Sequence, residues 1–294
     1  MPGSVLDPVK PGCALHPALE LTGVSFAYGP STPALSNVSL SIGKGEKVAL
    51  LGSNGCGKST LLRIMNGLAT PSAGSVHVFG EKVNPAALRG AAFAHRLRRR
   101  IGFIFQNADA QLFSSTVREE IAFGPLQMNL PPSEVRQRVA ETAGMLGISH
   151  LLDRAPFHLS GGEKKKVALA SVLVVNPSVL LLDEPTASLD PRSQRWVVDL
   201  IVSLHRAGKT IVTATHDLDI VHEIADRVIV LDEDHTIAAS GPTMDILSDL
   251  DLLLRVNLVH EHTHRHGRLI HSHPHHHSGD HDHTHDVSGG HSHE

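Results

Sequence analysis

Lys47-Val48-Ala49-Leu50-Leu51-Gly52-Ser53-Asn54-Gly55-Cys56-Gly57-Lys58-Ser59-Thr60 is a short apolar run, a glycine-rich turn and the start of a helical pattern that runs over Lys58–Leu68. Gly52, Gly55 and Gly57 let successive backbone amides face inward, and such a nest binds phosphate oxygens. A helix starting at Lys58 aims the positive end of its dipole at the same anion. In a strand–loop–helix of this kind Lys58 reaches the β- and γ-phosphates of a nucleotide and Ser59 ligates magnesium. The bland alternative is a glycine-rich turn with no ligand. The apolar strand before it and the helix after it weigh against that.

Two further stretches answer the first. Val179-Leu180-Leu181-Leu182-Asp183-Glu184 is an apolar strand ending in two carboxylates. Asp183 is placed to hold magnesium, directly or through water, and Glu184 to act as general base on the attacking water. Alone, this pattern also fits a solvated strand end. Leu159-Ser160-Gly161-Gly162-Glu163 opens a helix, and a serine with backbone amides at a helix N-terminus is a second phosphate grip.

Taken in this order, the three motifs closely resemble the ABC ATPase family over about residues 20–241. The resemblance implies an α/β P-loop domain: a RecA-like core, an antiparallel β subdomain, and a helical subdomain over about 107–165 carrying the signature Ser160-Gly161-Gly162. It implies an ATP hydrolase using ATP and magnesium. It also implies a dimer, of two copies or with a paralogue, in which ATP lies between Gly52–Thr60 of one domain and Ser160–Gly162 of the other. Both half-sites are intact here. On matching positions, Tyr28 stacks on adenine, with a strand-end surface residue as its alternative reading. Gln106 links magnesium and water to a membrane partner, Ser188-Leu189-Asp190 crosses the dimer interface, and His216 contacts the γ-phosphate.

Asn107-Ala108-Asp109-Ala110-Gln111-Leu112-Phe113 resembles the ATPases of energy-coupling-factor importers, although proline usually stands where this chain has Ala108. That likeness implies a transmembrane coupling subunit docking near Gln106 and Asp109, and a separate substrate-binding membrane subunit. Asp109 is the expected partner of a coupling-helix arginine, or else a solvated loop carboxylate.

Composition sets the outer bounds. Hydrophobic residues make up 41% and charged residues 19%, which fits a globular chain. A net charge of -4 shows no nucleic-acid footprint, so no nucleic-acid partner is expected. Two cysteines, Cys13 and Cys56, exclude a disulfide framework and point to a reducing compartment. No stretch is apolar enough to span a bilayer and no signal peptide is evident. The expected location is therefore the cytoplasmic face of the cell membrane, held there through partners.

Other elements follow from pattern. Ile101–Phe105, Ile211–Ala214 and Val228–Leu231 read as strands, and a helix starts at Asp217. Ser133–Leu146 reads as an amphipathic helix capped by Ser133. Arg96-Leu97-Arg98-Arg99-Arg100 is a basic run read as a solvated edge before a strand. Cys56 sits at a variable loop position. It reads as incidental there; the alternative is that Lys58 and the helix start lower its thiol pKa, in which case alkylation would block turnover and ATP would protect.

The chain divides into a proline-rich tail over 1–18, the ATPase domain over 19–255 and a histidine-rich segment over 256–294. Both tails are expected to lack a packed core. Of the 23 histidines, His260, His262, His264, His266, His271, His273, His275, His276, His277, His281, His283, His285, His291 and His293 fall in the last segment. Imidazole suits nickel, cobalt, zinc and copper, so these are candidate ligands for a Ni, Co or Zn site. The alternative is a solvated low-complexity tail. The energy-coupling-factor importers that this chain resembles include a cobalt/nickel group, so the resemblance and the histidines together imply an importer of nickel or cobalt ions, with zinc, a vitamin or another solute as the alternative cargo. A non-transport ABC ATPase is the second alternative. The interval between Lys58 and Ser160 carries no heptad pattern, which argues against it.

Overall fold

The computed structural model describes residues 16–29, 31–266 and 269–276, with side chains described up to Val259. The N-terminal tail expected over 1–18 lies outside these residues up to position 15. The packed chain begins by Ala18, which is fully buried and accepts a backbone hydrogen bond from Phe79. Strands β1 (Leu19–Gly29) and β2 (Thr32–Ile42) lead into β3 (Lys47–Leu51), followed by helix α1 (Lys58–Met65). Then come β4 (Ala73–Val78), β5 (Glu81–Val83), α2 (Pro85–Arg89), α3 (Ala91–Arg100) and β6 (Ile101–Ile104). A helical stretch follows with α4 (Val117–Gln127), α5 (Pro132–Met145) and α6 (Gly161–Leu173). The chain returns through β7 (Val179–Asp183), α7 (Pro191–Arg206), β8 (Thr210–Ala214), α8 (Leu218–Ile224), β9 (Arg227–Leu231) and β10 (Ile237–Pro242). It ends with α9 (Thr243–Ser248), α10 (Leu250–Arg255), β11 (Val259–His266) and β12 (Leu269–His276).

Three sheets result. The central one has strand order β10-β9-β3-β8-β7-β6, parallel throughout except at the β10 edge. Every residue of β3, β6, β7 and β8 is buried, as parallel strands covered on both faces require, and this is why Val48–Leu51 and Val179–Leu182 read as unbroken apolar runs. The second sheet, β2-β1-β4-β5, is antiparallel and packs with the central sheet around one apolar cluster that includes Leu19, Val38, Leu61 and Leu181. A second cluster joins α4, α5 and α6 to the other face through Ile121, Val139, Val167 and Leu180.

The expected fold class thus stands: a parallel core, an antiparallel β subdomain and a helical subdomain. Several boundaries move for local reasons. α1 stops at Met65 rather than Leu68, because Gly67 takes the left-handed conformation that ends helices (φ 72°). α5 begins at Pro132 after Pro131, so Ser133 is a residue of its first turn and not its cap; proline's fixed φ suits that first position. The basic run is the last turn of α3. Leu97 is buried there, and Arg96 and Arg100 both pair with Glu81 at 2.9 and 2.7 Å.

The packed domain also runs past the expected limit at 255. Val256, Leu258 and Val259 are buried with Leu252, Val228 and Val230 in a third cluster. The start of the histidine-rich segment, expected without structure, forms β11 and β12, which pair antiparallel. His277, His281, His283, His285, His291 and His293 lie outside the described residues.

Leu181 is fully buried at the centre of the first cluster. Leu181→Ala is expected to destabilise the chain by about 2–5 kcal/mol, read as a lower midpoint in chemical denaturation.

Candidate functional site

In an open parallel sheet the carboxyl ends of the strands form one edge, and ligands bind outside it. The phosphate loop and the residues that follow three neighbouring strands sit at that edge. Gly52 follows β3, Gln106 follows β6, Asp183 ends β7 with Glu184 next, and His216 follows β8. Tyr28, Asn54, Gly55, Gly57, Lys58, Ser59, Thr60, Gln106 and Glu184 line one open cleft of about 360 Å³.

Local geometry explains the glycines. Gly57 has φ 113°, and a Cβ there would collide with the Ala34 carbonyl oxygen. At Gly52 a Cβ would lie 2.6 Å from the Leu231 carbonyl oxygen, so the loop packs backbone to backbone against the end of β9. Lys58 is buried, and its Nζ donates to the carbonyls of Gly52 (2.7 Å) and Ser53 (3.1 Å), 4.0 Å from Glu184 Oε1. Its ammonium therefore stands inside the phosphate loop.

The carboxylates are held in an unusual setting. Asp183 is 3% exposed and Glu184 6%. Burial pushes the Asp183 carboxyl up from its ordinary value; the Ser59 hydrogen bond opposes this and the neighbouring Glu184 charge adds to it. Ser59 Oγ donates to Asp183 Oδ1 at 2.8 Å. Glu184 has a positive φ of 43°, a strained position for a residue with a side chain, and its N–H donates to the Ala214 carbonyl. His216 Nδ1 and Glu184 Oε1 are 2.9 Å apart, a hydrogen bond donated by the ring when Nδ1 carries the proton.

These residues fit a magnesium–nucleotide. Ser59 and Asp183 form a compact pair of oxygen donors of the kind hard cations select, and the burial that raises Asp183 is relieved by a cation. Tyr28 stands exposed near the end of β1, as a strand-end surface residue does, and it lines the same cleft. Its hydroxyl shares a 3.0 Å hydrogen bond with Thr60 and accepts one from Arg63 at 3.2 Å, and Phe26 packs edge-on against its ring.

Ser160, Gly161, Gly162 and Asp190 lie elsewhere. With Ser188 and Trp196 they line a second cleft of about 750 Å³, and among the described residues none lines both. Ser160 caps α6 in a reciprocal box: its Oγ accepts from Glu163 N–H, and Glu163 Oε2 accepts from Ser160 N–H at 2.9 Å. Asp190 caps α7 and accepts from Ser193 N–H at 3.0 Å; the Ser193 hydroxyl and backbone bonds hold its carboxyl below the usual range. Lys166 stands over the Trp196 ring, 4.8 Å from its centre.

Two expectations change. Cys56 is 2% exposed, and burial pushes its thiol up despite Lys58 nearby. A buried, protonated thiol is not a reactive one, so the alkylation reading loses its basis. Asp109 is neither free nor merely solvated: its exposed carboxylate pairs with Lys164 Nζ at 2.7 Å.

The sequence reading also missed Lys165. This lysine is buried on the signature helix α6 and donates to the carbonyls of Phe105 (3.3 Å) and Gln106 (2.9 Å). It ties the signature helix to the Gln106 loop. The available signal was helical spacing: Lys165 stands three and four residues before Ala168 and Leu169, on the face that they bury. Among the residues whose side chains are described, no group of three or more His, Cys, Asp or Glu is placed to hold a metal ion.

Known proteins of one family are similar to this chain. The family model described as ABC transporter matches residues 35–187. The chain is 48% identical over 248 residues to the nickel import ATP-binding protein NikO of Rhodobacter capsulatus, covering 83% of this chain and 97% of that one. It is 42% identical over 240 residues to the energy-coupling factor transporter ATP-binding protein EcfA of Methanothermobacter thermautotrophicus, covering 82% and 76%. Among solved structures it is similar to CbiO1 of Clostridium perfringens, described as part of the ABC transporter complex cbiONQ. That match has a TM-score of 0.70 and 38% identity, covering 83% of this chain and 95% of that one.

Burial lowers the Lys165 pKa from 10.5 to about 8, while the Asp183 charge opposes the shift. The folded chain thus gives up this proton more readily than the unfolded chain. The resulting cost to stability is full below pH 8 and fades as pH rises toward 10.5. The stability of the wild type relative to Lys165→Met is therefore expected to increase between about pH 8 and 10, measured by denaturation at each pH.

Proposed function

The chain belongs to the ABC transporter family of ATP-binding subunits, and on that premise we propose that it energises a membrane importer for divalent nickel or cobalt ions. ATP hydrolysis is the activity of the family. The observation that carries the reading is the buried Asp183–Glu184 pair beside Ser59 and Lys58. A bound magnesium ion would supply a hard cation that offsets phosphate charge. The chain's own groups do the rest. The amides of Gly52–Thr60 and the Lys58 ammonium hold phosphate, and Ser59 and Asp183 would hold the metal. Glu184 takes a proton from the attacking water, His216 orients the Glu184 carboxylate, and Gln106 lies in the same cleft to position water.

The two clefts support a head-to-tail dimer. One chain cannot bring Ser160–Gly162 to its own Lys58 cleft, so the complete site takes the signature cleft of a second copy or a paralogue. An apolar groove of about 570 Å³ lined by Leu68, Phe103, Phe105, Phe123 and Met128 supports docking of the transmembrane coupling subunit next to Gln106. An incoming arginine at Asp109 would displace Lys164. Among the described residues no helix is long and apolar enough to cross a membrane, so placement at the cytoplasmic face rests on these partners and on a substrate-binding membrane subunit. The cargo reading draws on the nickel importer relative, the cobalt/nickel resemblance and the histidine-rich segment, which we read as a Ni, Co or Zn binding tail.

The test is uptake of labelled nickel, cobalt and zinc by cells holding the native partners, comparing wild type with Lys58→Ala. Nickel or cobalt uptake is expected to collapse in the variant. Unchanged entry of nickel and cobalt would assign the ATPase to another cargo.

A further inference from the structure

The register of β11 and β12 places histidines opposite one another three times. His260 pairs with His275, His262 with His273, and His264 with His271. Successive strand residues alternate between faces, so these three pairs occupy one face of the ribbon. The intervening positions, Glu261 opposite Pro274 and Thr263 opposite Ser272, belong to the other. Directly opposed residues in an antiparallel pair have Cβ atoms about 4.5–5.5 Å apart. Pairs two residues apart along a strand are spaced by about 7 Å. The backbone therefore sets out three rungs, each offering two imidazoles.

The sequence of this ribbon has no apolar face. Its alternation sets histidine against polar and charged residues, and a two-stranded ribbon without an apolar face is marginal in water. Its root is firm, however: Val256, Leu258 and Val259 are buried, and Asn257 Nδ2 donates to Glu233 Oε1 at 3.1 Å. A cation bridging the strands would supply the missing stabilisation, since ligand binding and ordering reinforce each other.

We propose that the β11–β12 ribbon is a divalent-metal ladder, in which each directly opposed histidine pair (His260/His275, His262/His273, His264/His271) is the chelating unit for one borderline ion such as Ni²⁺, Co²⁺ or Zn²⁺. This rests on the reading of the histidine-rich segment as metal-binding. It goes further by assigning the ions to rungs set by strand register.

The ladder makes a counting prediction. Two histidines of one rung serve the same ion, whereas histidines of different rungs serve different ions. Tightly bound Ni²⁺ is counted by equilibrium dialysis of the full chain with the metal alone. His262→Ala, His273→Ala and the double variant of that rung are each expected to hold one ion fewer than wild type. The cross-rung double, His262→Ala with His271→Ala, is expected to hold two fewer. Equal losses from the same-rung and cross-rung doubles would overturn the ladder while leaving a metal-binding tail. A wild-type chain that holds no Ni²⁺ would remove both. Removing His281, His283, His285 and His291 together serves as a control and is expected to leave the three rung ions in place; loss of those ions in the control would also contradict the ladder.

Discussion

Two carboxylates buried side by side at the end of a central strand cost free energy unless something meets them. At Asp183 and Glu184 the compensation comes from several parts of the chain: the Ser59 hydroxyl, the Lys58 ammonium and the His216 ring. This requirement organises the core. β7 must lie beside β8 for His216 to reach Glu184, and the loop after β3 must fold over the same edge for Ser59 to reach Asp183. The left-handed backbone at Glu184 turns the chain as β7 ends. Burial leaves Asp183 easier to protonate than an exposed aspartate, and a cation beside it would favour the charged form.

The second grip is built by different means. Ser160 and Glu163 satisfy one another at the start of α6, fixing a helix end on the surface of the helical subdomain. Lys165, further along the same helix, reaches back to the carbonyls at Phe105 and Gln106. A displacement of α6 is thereby felt by the loop that enters the nucleotide cleft. Gln111 reinforces the link, accepting from Phe105 N–H and donating to the Ala168 carbonyl. The apolar groove lined by Phe105 and Gln111 adjoins this same loop, so groove, signature helix and nucleotide cleft come together beside Gln106.

Much of this was legible in the sequence because its cues are local. Gly52–Thr60 needs only contiguous residues to announce a phosphate loop, and the run Val179–Glu184 announces a buried strand with a polar end. What was illegible depends on distant partners. The sequence leaves a reactive thiol open as an alternative for Cys56 beside Lys58, and only the fold, in which the thiol is buried, closes it. Lys165 and Phe105 are far apart in the chain, as are Lys164 and Asp109, and no local pattern pairs them. Ser133 misleads because a good capping residue sits beside two prolines that start the helix earlier. The histidine alternation was visible, but the register that opposes His262 to His273 was not.

The central claim is that Glu184 performs the proton-accepting step in a site otherwise built to bind nucleotide. The most direct measurement is ATP binding and steady-state hydrolysis by the purified chain and its Glu184→Gln variant. The account predicts binding close to that of wild type and turnover lower by about 100-fold or more, the range general-base removal commands. Turnover equal to wild type in that variant would contradict it.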